Sequence, residues 1–166
     1  MRKTGFLVLG GAHVDRRGRI VGETAPGASN PGRWFVEAGG GGFNAARNLA
    51  RLGHRVRLIS PRGGDSEGAL VEAAALAAGV EDTPFTFLDR TTPSYTAILE
   101  RDGNLVVALA DMDLYRYFTP RRLSGQRAGF RLVKEEPRQA VQHAAEAHDL
   151  GRRNRNCRQR LSGIAG

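Results

Sequence analysis

The chain has 166 residues, 40% hydrophobic and 25% charged, enough for one domain with a real core and ordinary for a soluble globular fold. No apolar run approaches the ~20 residues of a membrane span, which argues against a membrane protein, and the single Cys157 excludes an internal disulfide and fits a reducing cytoplasm. The net charge of +8 invites a nucleic-acid reading, but residues 1–120 hold 14 Lys/Arg against 13 Asp/Glu, and the excess sits in residues 121–166, with 11 against 4.

Taken in chain order, Phe6 to Leu9 is too short for a signal peptide and runs into His13 and Asp15, so it predicts a first buried strand ending in Gly10-Gly11. Arg19 to Glu23 and Arg33 to Glu37 are short extended candidates, separated by the turn-rich Pro26 to Gly32. Asn44 to Leu52 predicts a helix that Gly53 stops. Arg55 to Ser60 alternates as a strand, and Ser66 to Ala78 is an Ala/Leu-rich helix that ends at Gly79. Ser94 to Glu100 and Leu105 to Ala110 flank Arg101-Asp102-Gly103-Asn104 as a β-hairpin. Alternating strand and helix is the pattern of an α/β domain with a parallel sheet, and the extra hairpins predict a small appended sheet.

The chain divides near Leu123. Residues 124–166 are rich in Arg, Gln, Ala and His. A helix over Gln139 to Leu150 would bury little beyond alanine methyls. Residues 151–160 offer no core, so a basic, disordered tail is expected.

Chemistry concentrates in Ala38-Gly39-Gly40-Gly41-Gly42-Phe43-Asn44. Glycines just before a helix let the backbone approach a ligand and aim N–H groups at its oxygens, and Asn44 adds a side chain that donates and accepts. The same residues also read as a flexible loop with Asn44 as an ordinary helix cap. No Gly-x-x-x-x-Gly-Lys-Ser/Thr is present, and Ala45 stands where a dinucleotide-binding loop has its third glycine. Gly10 to Asp15 follows the first strand, where open α/β sheets place their ligands. A carboxylate there accepts from two adjacent hydroxyls at once.

The spacing of Gly40 to Gly42, Phe43, Asn44, Ala46, Gly53 and Gly63 resembles the N-terminal signature of the PfkB carbohydrate kinases. Gly63-Gly64-Asp65-Ser66-Glu67-Gly68 resembles that family's Gly-x-Asp-x-x-Gly before the following helix. The resemblance runs from about Gly5 to Leu123. It implies an α/β, ribokinase-like doubly wound sheet, of which this chain holds the N-terminal half, with a small β lid. Ser29 to Gly32, Val107 to Met112 and Thr119-Pro120 are similar to the pseudouridine kinase group within the family.

The resemblance further implies ATP-dependent phosphorylation of a hydroxyl on a sugar or a pseudouridine-like nucleoside. Asp15, Gly40, Gly41 and Asn44 are the expected substrate-binding residues, and His13 and Asn30 are secondary candidates. His13 departs from the family, which often has Asn there. Asn30 and Asp111 also read as turn or strand-end residues. ATP and Mg²⁺ would bind the other half of the family's fold, and two copies would pair through the lid.

The family's Gly-Ala-Gly-Asp motif, which carries the general base, and its Asn-x-x-Glu are absent from these 166 residues, so no catalytic or metal-binding residue is assigned. A frameshift near residue 124 or a natural short protein would both leave that pattern. The expectation is a truncated, inactive copy with a sheet edge and face left bare. The alternative is a non-catalytic sugar- or nucleoside-binding fragment. An Arg-rich tail that binds nucleic acid ranks last, because its only aromatic residue is Phe130.

Overall fold

Short apolar runs bounded by glycine become the central strands. The structure, a computed structural model, describes residues 5–119 and 130–134. Its elements are β1 (Gly5–Leu9), β2 (His13–Ile20), β3 (Gly32–Gly39), α1 (Gly41–Arg51), β4 (Val56–Ile59), β5 (Pro61–Gly63), α2 (Ser66–Ala77), β6 (Glu81–Asp82), β7 (Phe85–Phe87), β8 (Ser94–Leu99), β9 (Leu105–Asp111) and β10 (Phe130–Lys134), with a 3₁₀ turn at Asp113–Tyr117 before β10.

The main sheet has the order β10-β1-β4-β6, and every pair in it is parallel. Parallel neighbours need crossovers, and α1 and α2 provide two of them. On one face the helices bury Phe43, Ala46, Val71 and Ala75 against Val8, Val56 and Leu58. On the other face Leu7, Leu9 and Ile59 pack with Phe85, Phe118 and Phe130. A strand buried on both faces needs side chains that are apolar in succession, which is why Leu7-Val8-Leu9 carries no alternation.

The second sheet has the order β3-β2-β8-β9. Its first hairpin runs in unbroken antiparallel register from His13 opposite Gly39 to Ile20 opposite Gly32. β2 is longer than the sequence suggests. Asp15-Arg16-Arg17-Gly18-Arg19 gives no apolar alternation, yet β3 and β8 hold it by backbone pairing on both edges. β8 and β9 form the expected hairpin, with an irregularity between Ile98 and Leu99. This sheet is rooted in the core by Val14 and Ala38. Arg16 adds an ion pair to Glu67 at the start of α2.

The Gly63–Gly68 motif is a staple between α2 and the strand that follows it in the lid. Asp65 caps α2 by accepting from the Gly68 N–H at 2.8 Å, and it also accepts from the Thr92 N–H at 2.7 Å and the Thr92 hydroxyl at 2.6 Å. Burial pushes its carboxyl up, but these donors outweigh burial and hold it below the ordinary value. Beneath it, Arg62 and Asp82 form a buried pair at 2.5 Å. Burial pushes the Asp82 carboxyl up, Arg62 offsets only part of that, and Glu72 adds to the rise.

Two expectations are corrected. Residues 130–134, assigned by composition to a structureless tail, form β10 and pair residue by residue with β1. The local reason is Phe130, whose ring lies 4.7 Å from the Arg55 guanidinium and 4.5 Å from that of Arg57. Among the described residues the face that carries Leu7, Leu9 and Ile59 is not bare either, each being 4% exposed or less. β10 covers the edge of β1 and is itself the outer strand of the described sheet. The helix expected over Gln139 to Leu150 lies outside the described residues. Among the described residues no helix is long and apolar enough to cross a membrane.

Candidate functional site

β1 stops at Gly10, and the chain turns through Gly11 and Ala12 into β2. The turn is held from below. Gly10 N–H donates to the Ile59 carbonyl at 3.3 Å, and Ala12 N–H donates to the buried Ser60 hydroxyl at 2.9 Å. The start of α1 docks on this turn, with Phe43 N–H donating to the Gly11 carbonyl at 3.0 Å.

That docking explains the glycine run. A Cβ on Gly42 would lie 2.6 Å from the Gly10 carbonyl carbon. Gly40 is the N-cap at φ +98° and ψ 145°, and a Cβ there would overlap the Gly11 carbonyl oxygen. A Cβ on Gly39 would lie 2.6 Å from the Asp15 carboxyl carbon. Much of the space that the missing side chains leave is therefore taken by the protein's own turn and by Asp15. Gly41, the first helical residue, is exposed.

α1 begins at Gly41 and not at Asn44 as expected from the sequence, so Asn44 stands one turn inside, its N–H donating to the Gly40 carbonyl at 2.9 Å. The correction follows from the glycines, whose lack of side chains lets the helix start early against the turn. Asn44 Oδ1 is buried and has no hydrogen-bond partner. Buried acceptors are nearly always satisfied, so an orphan of this kind marks a place where a donor is missing.

Asp15 is the third residue of β2, in register with Glu37 on β3 and Tyr95 on β8, so the three side chains share one face of the lid sheet. Its side chain is 30% exposed. Burial pushes the Tyr95 hydroxyl up, and the charge of Asp15 adds to the shift. His13 is buried beneath them, with Nε2 3.1 Å from Asp15 Oδ1 and Nδ1 3.0 Å from the Tyr115 hydroxyl.

The structure thus gathers Asp15, His13, Gly40, Gly41 and Asn44 at the junction of β1, β2 and α1. It does not bring Asn30 there. Asn30 lies beyond the Ile20–Gly32 end of the hairpin, away from Asp15. Its carboxamide accepts from Ala25 N–H at 2.8 Å and donates to the Ala25 and Ala28 carbonyls at 3.0 Å. Asp111 is exposed at the end of β9, opposite Ser94. Tyr115 escaped the sequence reading because nothing local marks it: its contact spans 102 positions.

Residues 6–121 match the pfkB family of carbohydrate kinases. The chain belongs to that family. The uncharacterized sugar kinase YeiI of Escherichia coli is 37% identical over 122 residues, which is 73% of this chain and 34% of that protein. The pseudouridine kinase of the same organism is 32% identical over 126 residues, 75% of this chain and 40% of that protein. This pfkB-family chain therefore spans between a third and two fifths of the length of the curated relatives it matches. A carbohydrate kinase from Agrobacterium tumefaciens superposes with a TM-score of 0.75 at 69% identity, covering 79% of this chain and 45% of the other. A ribokinase from Arabidopsis thaliana, solved with ribose and ATP, superposes with a TM-score of 0.56 at 23% identity, covering 66% and 36%. The fold is ribokinase-like, as expected.

Proposed function

We propose that this pfkB-family chain is the sugar-binding part of a kinase that transfers phosphate from ATP to a hydroxyl of a sugar or a pseudouridine-like nucleoside. The observation that carries the reading is the buried, unpartnered Asn44 Oδ1 at the site where β2 and the glycine run bring in Asp15. A polyol supplies the missing donors. One hydroxyl donates to Asp15 and another to Asn44, and each is stronger for being made out of water. The lid face that carries Asp15, Glu37 and Tyr95 covers the sugar and excludes solvent. The pseudouridine kinase relative favours a nucleoside, and the Arabidopsis ribokinase with ribose and ATP favours ribose as the recognised part.

Among the described residues no three His, Cys, Asp or Glu side chains converge to hold a metal ion. ATP and Mg²⁺ are assigned to the part of the family's fold that follows, and no step is derived through them. These 166 residues hold no Gly-Ala-Gly-Asp. Binding of a sugar or nucleoside by these residues without phosphorylation is the second reading.

A homodimer is part of the proposal. The register puts Trp34, Val36, Val107 and Leu109 on the lid face opposite Asp15, and each is more than half exposed. A second copy of the lid suits that patch.

Calorimetry on the full chain with D-ribose and with pseudouridine tests the reading, together with a phosphotransfer assay. Binding that Asp15→Asn weakens about tenfold or more, with an unchanged melt, supports it. Absence of binding to either probe overturns it.

A further inference from the structure

We propose that Tyr115 and His13 form a positioning relay that fixes the Asp15 carboxylate, and that His13 is not itself a ligand contact. The inference rests on the sugar-site reading for what Asp15 binds, but the relay is visible without it. His13 is 6% exposed and Tyr115 7%, so both groups need partners inside the protein. His13 has two ring nitrogens, and each faces one: Nε2 is 3.1 Å from Asp15 Oδ1, and Nδ1 is 3.0 Å from the Tyr115 hydroxyl.

The order of protons follows from those partners. A carboxylate only accepts, so Nε2–H donates to Asp15 Oδ1. In the neutral ring Nδ1 then holds the lone pair and accepts from the Tyr115 O–H. Both nitrogens are used, which leaves none for a substrate hydroxyl. Asp15 Oδ1 is held as well, and the rest of the carboxylate lies over Gly39, where any Cβ would collide with it. The oxygen left for substrate is Oδ2, in an orientation set from behind. Gly40 belongs to the same construction, because a Cβ on it would lie 3.0 Å from His13 Nδ1.

The arrangement also ties separate parts of the chain together. Asp15 belongs to the lid sheet, whereas Tyr115 sits in the 3₁₀ turn after the last lid strand. The lid leaves the core at β2 and returns at that turn, so the relay joins the two ends of the lid at the sugar carboxylate. Displacing the turn would move Tyr115, then the imidazole, then Asp15.

Two substitutions separate this role from simple packing. In shape, Gln places its amide nitrogen where His has Nε2, so His13→Gln keeps the donor to Asp15 and gives up Tyr115. Asn places its amide nitrogen, which only donates, where His has Nδ1, so His13→Asn meets Tyr115 with the proton order reversed and leaves Asp15 Oδ1 unheld.

The experiment uses the full 166-residue chain. Long-range ¹H–¹⁵N NMR of the imidazoles reads the His13 tautomer with no ligand present. Calorimetry with D-ribose and pseudouridine reads affinity. The relay predicts an Nε2–H tautomer in the wild type, retained in Tyr115→Phe because the Asp15 carboxylate still fixes it, and about fivefold weaker sugar binding in that variant with its melt retained. His13→Gln should bind about as Tyr115→Phe does, their double variant no worse, and His13→Asn clearly worse than either. An Nδ1–H tautomer in the wild type, or an affinity unmoved by Tyr115→Phe, overturns the relay. If Tyr115→Phe does not fold, the wild-type tautomer decides alone. If the wild type binds neither probe, the sugar reading fails, and the NMR result still decides the relay.

Discussion

Gly40 offers the sharpest test of how the site is built, because Gly53 on the same helix provides its control. Gly40 precedes α1 with φ +98°, and Gly53 follows it with φ +81°. Alanine is strained at both. At Gly53 nothing lies within 4 Å of the new methyl, so Gly53→Ala should cost only the backbone penalty, about 1–2 kcal/mol. At Gly40 the backbone penalty is about 1–3 kcal/mol. The methyl would also overlap the Gly11 carbonyl oxygen and sit 2.8 Å from its carbon.

Backbone cannot rotate away as a side chain does, so the overlap adds roughly 1–3 kcal/mol. Gly40→Ala should therefore be about 2 kcal/mol worse than Gly53→Ala, a gap of roughly 4–8 °C in Tm for a chain of this size. Paired thermal and urea melts of the full chain measure it. Sugar affinity should fall in Gly40→Ala alone, because α1 carries Asn44 away from Asp15 as it shifts. Equal losses in the two variants would refute the view that α1 is nested on the Gly10-Gly11 turn.

Asp65 should govern part of the acid limb of stability. Its carboxyl is held below the ordinary value of 3.8 in the fold, so its contribution is present above that pH and is lost as pH falls through the lower folded value. Asp65→Asn should cost about 1–2 kcal/mol at neutral pH and progressively less as pH is lowered below 3.8, read from urea midpoints across that range. Phe130→Ala should destabilise the chain by about 2 kcal/mol and speed amide exchange along β1, because the ring closes the Leu7 face and stacks under Arg55 and Arg57. Unchanged exchange would show that β10 is not held by that ring. Leu109→Glu should leave the melt within about 0.5 kcal/mol, since Leu109 is 71% exposed, while abolishing a concentration-dependent dimer in sedimentation. A monomeric wild type would refute the lid dimer.

The sequence alone determined the family, the alternation of β1, α1, β4 and α2, and the second lid hairpin. Each of these is local: a run of apolar residues, a glycine that stops a helix, a fixed spacing of Gly40, Asn44, Gly53 and Gly63. It also singled out Asp15 and Asn44, because their residue types stand at motif positions. Tertiary structure alone decided the rest. β2 is a strand because two neighbours pair with it, not because Asp15 to Arg19 prefers to be one. β10 is a strand because β1 had an open edge and Phe130 found two guanidinium groups beside it. The glycine run is explained by what approaches it, the turn at Gly10-Gly11 and the carboxylate of Asp15, and neither approach is written in the run itself. Tyr115 reaches His13 across 102 positions. A hydrogen bond depends on distance in space, and separation along the chain carries no sign of it until the sheet has brought both ends of the lid to one place.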